Sequence, residues 1–524
     1  MKKAFKVIGW VFLSLIVALL ILITGLYLVN MLDKHPGYSA DLQIEAGAPA
    51  PMQVGFAAEK VTPEVPDQWE DKNGDAKYKP EDGDTYTDLN GNGQFDPVWI
   101  AGFSNSKPAN GIHDDVWARA MVIDDGITRL AIVSLDAIGY MHNDVVDIRK
   151  MIPEEAGITY MILSSTHTHE GADLMGIWGE SPFKSGVDQT YMQFVKEQVV
   201  ESVVTAVNNL SPARLEISQD LTGADGLVKD TRDPQVFDNG LRMIRAVDKD
   251  TEKTLGTLVS WGNHPETLWS RNLLISSDFP HYVREGVENG VYSGDSLIHE
   301  GVGGVTVYVS AAIGGLMCTH PSLTIVDPFT GEEFAEPSFA KAEAQGRHLS
   351  NLILNAMDNP IETIDSTGIS LLVKTIELPL DNNVFKLASL LGVIDRGPVG
   401  WMKTRSELAI GNIGPLSFVA IPGEIYPELV NGGVEAPSGG DYPGPIIETP
   451  PIREMMPGKY KFVFGLANDE IGYIIPKTQW DVEAPYSYGR DNSPYGEENS
   501  LGPETASILH THLKDMFGVG ESMK

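Results

Sequence analysis

The chain has 524 residues, room for two to four domains of about 100–200 residues or for one large α/β domain. Acidic residues outnumber basic ones 72 to 38, and the formal charge of −34 argues against a nucleic-acid partner, because phosphate binding needs lysine and arginine in excess. Cys318 is the only cysteine, which excludes an intrachain disulfide and a cysteine-based metal cluster and leaves His, Asp, Glu and Tyr to build any transition-metal site.

Lys2, Lys3 and Lys6 precede a run from Val7 to Met31 that carries no charge. At 1.5 Å per residue such a run crosses about 30 Å of hydrocarbon with some tilt. The small-residue triplet Ala46-Gly47-Ala48 lies too far downstream to serve as a cleavage site next to it. The sequence therefore predicts a signal-anchor over 1–31 with a transmembrane helix over 7–31. Lysines before the span keep the N-terminus inside, so the rest of the chain is expected outside the cytoplasm, on a single-pass bacterial cell-membrane protein. Residues 32–52, with Pro36, Gly47, Pro49 and Pro51, read as a linker. The domain is expected over 53–524, opening on strand-like Val54 to Ala58.

An acidic insert occupies 66–97. Asp88, Asn90 and Asn92 stand at positions 1, 3 and 5 of a calcium-loop pattern, Gly93 at 6 and Asp96 at 9, while position 12 is Trp99 instead of glutamate. Hard oxygen ligands at alternate positions make Asp88, Asn90, Asn92 and Asp96 a candidate Ca²⁺ site.

From Pro97 onward, apolar β-rich runs alternate with amphipathic runs. Strands are predicted over 130–135, 160–164, 214–218, 257–261, 305–309, 416–421 and 462–466. Helices are predicted over 143–151, 189–209, 279–289, 338–357 and 505–517. The expected class is α/β, a mixed sheet flanked by helices.

Polar residues follow several of these strands directly. The run 160–164 leads into Ser165-Thr-His167-Thr-His169-Glu170, the run 257–261 into Gly262-Asn-His264-Pro-Glu266, and the run 416–421 into Pro422-Gly423-Glu424. The run 462–466 leads into Asn468-Asp-Glu470 and Tyr473, and the run 130–135 ends at Asp136. Ligands in α/β sheets bind outside the carboxyl ends of strands, so a metal site is expected there. Imidazoles plus a carboxylate, with a position left for water, suit zinc. In extended backbone a His-x-His pair would turn both rings to one face.

These stretches resemble the neutral/alkaline (non-lysosomal) ceramidase family in its N-terminal catalytic domain. The resemblance rests on Gly111-Ile-His113, Ala118-Arg-Ala120, Val133-Ser-Leu-Asp136, Thr166-His-Thr-His169, His264-Pro265, Leu274 to Asp278, Pro422-Gly-Glu424, Gly465-Leu-Ala-Asn468 and Gly472-Tyr473. It spans roughly residues 53–517. It implies a hydrolase that cleaves the amide of ceramide or another N-acyl lipid with one zinc per chain. His167, His264, Glu424 and Tyr473 would be the metal ligands, His169 a polar group on the substrate, and Arg232 a holder of the intermediate. His113, Gly314 and Gly315 would face substrate.

The sequence departs from the family in two places. The family carries a Gly-Asp-Val-Ser-Pro-like stretch whose serine acts beside the zinc. The corresponding segment here reads Ser310-Ala-Ala-Ile-Gly314-Gly315-Leu316, with Ser310 the nearest hydroxyl. The family's C-terminal β-sandwich has no counterpart after 505–517. Without the serine, a carboxylate must take the proton of zinc-bound water, and Glu170, Glu266 and Asp278 are the candidates, with Asp136 holding a histidine ring from behind. Tyr473 could also donate to the oxyanion. The competing expectation is a non-catalytic lipid- or glycan-binding envelope protein that keeps the metal site.

Overall fold

The structure is a computed structural model that describes residues 2–519 apart from Leu316. The first residue of the expected anchor, the last five of the expected domain and Leu316 of the glycine segment lie outside the described residues. Two sheets pack face to face, where the sequence suggests one. The larger runs in the order Val305–Ser310, Thr254–Trp261, Leu241–Asp248, Ser211–Asp220, Ala50–Lys60, Trp117–Asp124, Arg129–Leu135, Tyr160–Ser165. The smaller runs Leu42–Ile44, Ile369–Pro379, Lys403–Ile413, Leu416–Ala420, Tyr460–Phe464.

Val54, Ile132, Ile162, Ile217 and Val307 of the larger sheet meet Leu371, Phe418 and Phe462 of the smaller one in a single apolar core. On the far face of the larger sheet, the helix Gln189–Asn208 sets Val195, Val199 and Val203 against Ala118, Ala120 and Val133. The helices Phe279–Asn289 and Phe339–Met357 cover Met243, Val259 and Tyr308 on the same side. The helix Thr505–Met516 and the segment 471–475 cover the far face of the smaller sheet. The layers are helix, sheet, sheet, helix.

Most neighbouring strands along these two sheets run antiparallel. Three pairs run parallel: Arg129–Leu135 with Tyr160–Ser165, Thr254–Trp261 with Val305–Ser310, and Leu416–Ala420 with Tyr460–Phe464. A parallel pair brings two carboxyl ends side by side. The strands that precede His167, His264, Glu424 and Tyr473 all belong to these three pairs.

The helix Lys2–Asn30 contains the apolar stretch Phe5–Asn30, long and apolar enough to cross a membrane. The segment 32–52, expected as a free linker, is instead bound to the body. Asp33 takes two hydrogen bonds from Arg405 at 2.9 and 2.6 Å, Lys34 pairs with Asp395 at 2.8 Å, and Leu42–Ile44 adds a strand to the smaller sheet. Its prolines and glycines shape turns between these attachments.

A buried ion pair crosses between the layers. Glu407, in the middle of the smaller sheet, accepts two hydrogen bonds from Arg149 at 2.8 and 2.9 Å and one from the Tyr160 hydroxyl. Burial alone would raise its carboxyl, but the Arg149 guanidinium and the His142 ring outweigh that and hold it at about 2. Its ordinary value is near 4.5, so the lowered value means stability that is complete above about pH 4.5 and is lost as pH falls towards 2. Glu407→Gln leaves Arg149 without its charge partner. The expected cost is about 3–5 kcal/mol in denaturant unfolding, with the acid-side slope of stability reduced. An unchanged midpoint would show that the pair is dispensable.

Candidate metal centre

Four side chains converge, two from the carboxyl ends of each sheet. The strand Tyr160–Ser165 ends before His167, which takes a left-handed backbone with φ 69°. That residue type is uncommon there, and the conformation costs of order 1 kcal/mol or more. The two histidines of His-x-His therefore reach one place through a turn, and not through strand pleating as the sequence suggested. Their rings lie 4.9 Å apart, edge to face.

The His167 amide donates to the Ala137 carbonyl at 2.9 Å, and its Nδ1 donates to the Ile138 carbonyl. His264 Nδ1 donates to the Met317 carbonyl at 2.9 Å. Both rings are thereby fixed with Nε2 forward. His264 Nε2 stands 2.9 Å and His167 Nε2 3.7 Å from the same oxygen, Glu424 Oε2. Glu424 and Tyr473 are direct partners in a short parallel bridge, which sets the two side chains beside each other. His169 completes the cluster: ligand atoms of His167, His169 and His264 all lie within 4.8 Å of one another.

The donor set fits a divalent metal. Burial, with His264 adding to it, lowers the His167 imidazole to about 4, so at neutral pH it keeps a free lone pair. Burial also lowers His169 well below the usual range. Neither ring nitrogen of His169 has a hydrogen-bond partner among the described residues, and Nδ1 stands 3.5 Å from Glu266. Buried polar atoms without partners are costly, and the two ring nitrogens of His169 beside the His167 and His264 rings are what a metal or a polar substrate would relieve.

The cluster closes one end of a cavity of about 250 Å³. Phe103, Ile138, Met141, Met175, Trp178, Phe385 and Ile394 form its apolar wall, and Glu424, Glu470 and Tyr473 its polar one. The acidic insert braces this wall from outside. Its hairpin, Asp67–Glu70 with Thr85–Asp88, packs Trp69 so that the indole donates to the Pro108 carbonyl at 3.0 Å. The loop that leads into Pro108 passes Gly102 under His169, where a Cβ would come 2.7 Å from Nδ1. Glycine is required there.

Of the expected carboxylates, only Glu266 reaches the cluster, and burial raises it to about 7. Glu170 does not line the cavity. It is buried behind His169, where Asn272 donates to it at 2.6 Å and Lys107 lies 3.8 Å away. Burial pushes its carboxyl up to about 8 and the Lys107 ammonium down. Asp136 holds no histidine ring; it accepts from Arg284 at 3.0 Å and from the Ser277 hydroxyl at 2.9 Å. Asp278 is the N-cap of Phe279–Asn289 and accepts from the Phe279 and Leu268 amides.

The remaining assignments also shift. His113 stacks on Phe339 at 3.6 Å, outside the cavity. Gly314 and Gly315 make room for the chain itself: a Cβ at Gly314 would lie 2.2 Å from the Glu424 carbonyl, and one at Gly315 2.9 Å from Arg232. Arg232 is committed to Glu428 through two 2.8 Å hydrogen bonds and faces a separate cavity beside Tyr426. Ser310 is buried, its hydroxyl donating to the Thr166 carbonyl at 2.8 Å. Asp88 accepts from the Gly91 and Gly93 amides at 2.6 and 2.7 Å, and Asp96 accepts from Asn90 and Asn92. These four candidate calcium ligands share one exposed turn on the surface. The residue that sequence reasoning missed is Glu470. It lines the cavity, Oε1 accepts from Gly472, and Oε2 has no partner among the described residues. Its place between Asn468 and Tyr473, two residues of the matched motifs, was the available signal.

Residues 86–316 match the family model "Neutral/alkaline non-lysosomal ceramidase, N-terminal". Among solved structures, the chain is similar to a neutral ceramidase from Pseudomonas aeruginosa at 16% identity and TM-score 0.62, covering 89% of this chain and 74% of that one. A ceramidase complexed with C2 matches at 16% identity and TM-score 0.59, covering 89% and 75%. At that identity the likeness is one of fold.

The geometry predicts the metal content of three variants. If the bound ion is zinc, elemental analysis of His264→Ala and Glu424→Ala should show it lost, because the remaining donors cannot complete a shell. With the ligand set that the resemblance implies, His169→Ala should keep it in full. Full zinc in both of the first two variants would place the site elsewhere.

Proposed function

We propose, on the match of residues 86–316 to the neutral/alkaline non-lysosomal ceramidase family, that the chain is a membrane-anchored, extracytoplasmic, zinc-dependent hydrolase of N-acyl lipids, with ceramide as the leading substrate. The observation that carries this reading is an apolar cavity that ends on buried imidazoles and a carboxylate. Such a shape takes an acyl chain along its wall and presents the amide to the polar end.

His167, His264, Glu424 and Tyr473 would hold the zinc. When bound there, zinc polarises an amide carbonyl and lowers the pKa of water. Glu266, beside His169, stands where it can take a proton from the attacking water. His169 has unpartnered ring nitrogens to hold the substrate's polar head. The leaving amine must gain a proton as the C–N bond breaks, and Glu470, facing the cavity with one free oxygen, is placed to give it. Ser310 takes no part, since its hydroxyl is already spent on Thr166.

The test is turnover of a panel of N-acyl sphingoid bases and N-acyl amines, with zinc content checked for every variant. Glu266→Gln should lower kcat by about 10²–10⁴, the usual contribution of a general base. Ser310→Ala should stay within a few-fold of the parent. A large loss in Ser310→Ala with Glu266→Gln near the parent would overturn the carboxylate mechanism. No turnover of any amide with zinc fully bound would favour a lipid-binding protein.

A further inference from the structure

We propose that the helix Asn383–Leu391 and the hairpin tip at Trp401 form an apolar collar that dips into the lipid surface beside the N-terminal helix, so that the cavity opens onto the bilayer. The proposal rests on the anchoring just described and adds where the body touches the membrane. Val384, Leu387 and Leu391 are 69%, 50% and 37% exposed, and their spacing of three and four residues puts them on one face of the helix. Trp401 is 76% exposed. The Met402 carbonyl next to it accepts from the Leu380 amide at 2.9 Å, which holds the tip against the segment that leads into the same helix. Tryptophan on such a tip is a residue of membrane interfaces. The opposite face of the helix is not free: Phe385 lines the cavity, as does Ile394 just beyond.

The position of the anchor makes the occupant a bilayer. The apolar stretch of the N-terminal helix ends at Asn30, whose side-chain amide donates to the Leu390 carbonyl at 3.0 Å, on the collar helix itself. The hydrogen bonds of Asp33 to Arg405 and the Lys34–Asp395 pair then hold the exit point to the body. The collar therefore sits at the level where the chain leaves the hydrocarbon. Lys386, the one basic residue of this helix, turns back to the Asp381 carbonyl and the Asn383 side chain, so the outer face carries no cation. With a formal charge of −34, the chain would be repelled by a strongly anionic surface. The surface is a neutral, zwitterionic one, and contact with it is through apolar area.

The experiment uses the full chain reconstituted in phosphatidylcholine vesicles. Single nitroxide labels are placed through Leu387→Cys, Trp401→Cys and Ile298→Cys; native Cys318 is buried and does not compete. Ile298 is an exposed control on the hairpin before Val305–Ser310, at the opposite ends of the strands from the cavity. Relative to Ile298, the labels at 387 and 401 should be several-fold less accessible to a water-soluble nickel chelate and more accessible to oxygen. A second readout is the double variant Leu387→Glu/Trp401→Ser. Its turnover of a vesicle-embedded N-acyl lipid should fall about tenfold, with turnover of a water-soluble short-chain analogue unchanged. If the chain floats with the vesicles while all three labels meet the chelate equally, the collar is wrong and the anchor stands. If the intact chain does not float, the anchoring reading fails and the collar with it.

Discussion

Everything at the candidate metal centre depends on one short run of backbone, Gly465–Asn468, that hydrogen-bonds to the carboxyl ends of both sheets at once. Gly465 donates to Ser310, and its carbonyl takes the Ser164 hydroxyl; the Leu466 carbonyl takes the Ser165 amide. On the other side, Leu466 and Ala467 donate to Gly423 and Ile421. Asn468, at φ 65°, pairs with Leu163 through both its amide and its side chain, like one more residue of the strand. Two sheets packed only through apolar side chains could slide, because dispersion and burial have no direction. These hydrogen bonds remove that freedom. They set the ends that carry His167 and His264 against the ends that carry Glu424 and Tyr473, to the tolerance a coordination shell needs. Gly465 has no alternative, since a Cβ there would lie 2.3 Å from the Ala311 carbonyl.

The same junction explains why so many carboxylates crowd the site with different roles. Asp136, Glu170 and Asp278 are all buried, and each is held by a nearby cation or donor: Arg284, Asn272 with Lys107, and the helix N-terminus. They pin the loops that carry the histidines. Glu266 and Glu470 are the two whose oxygens face the cluster or the cavity. A buried acid costs free energy wherever it lies, and only direction separates a positioning role from a chemical one.

That direction is what the sequence could not supply. The main parallel strands, the helices that cover them and the polar residues at their ends were legible from periodicity and residue type. The antiparallel strands Trp117–Asp124, Leu241–Asp248, Ile369–Pro379 and Lys403–Ile413 were not picked out, although Ile369–Pro379 alternates in burial along most of its length. Reading one sheet where there are two followed from that omission. The histidines were found by type and place, but their convergence comes from a left-handed residue at His167, which no spacing rule encodes. Glu170 and Glu266 looked equivalent beside their histidines. One turns into the protein and the other towards His169, because irregular backbone obeys neither the helix nor the strand period.

The segment 310–315 is where the sequence departs from the motif of the family it resembles, and its glycines seat two neighbouring residues closely. Gly314 donates to the Ile425 carbonyl and lies against the Glu424 backbone, while Gly315 lies against Arg232, itself locked to Glu428. A side chain at either position would push Glu424 or Arg232 out of place. In the proposed hydrolysis, proton transfer falls to acids outside the ligand set, and Glu266 beside His169 and Glu470 on the cavity wall are the two placed for it.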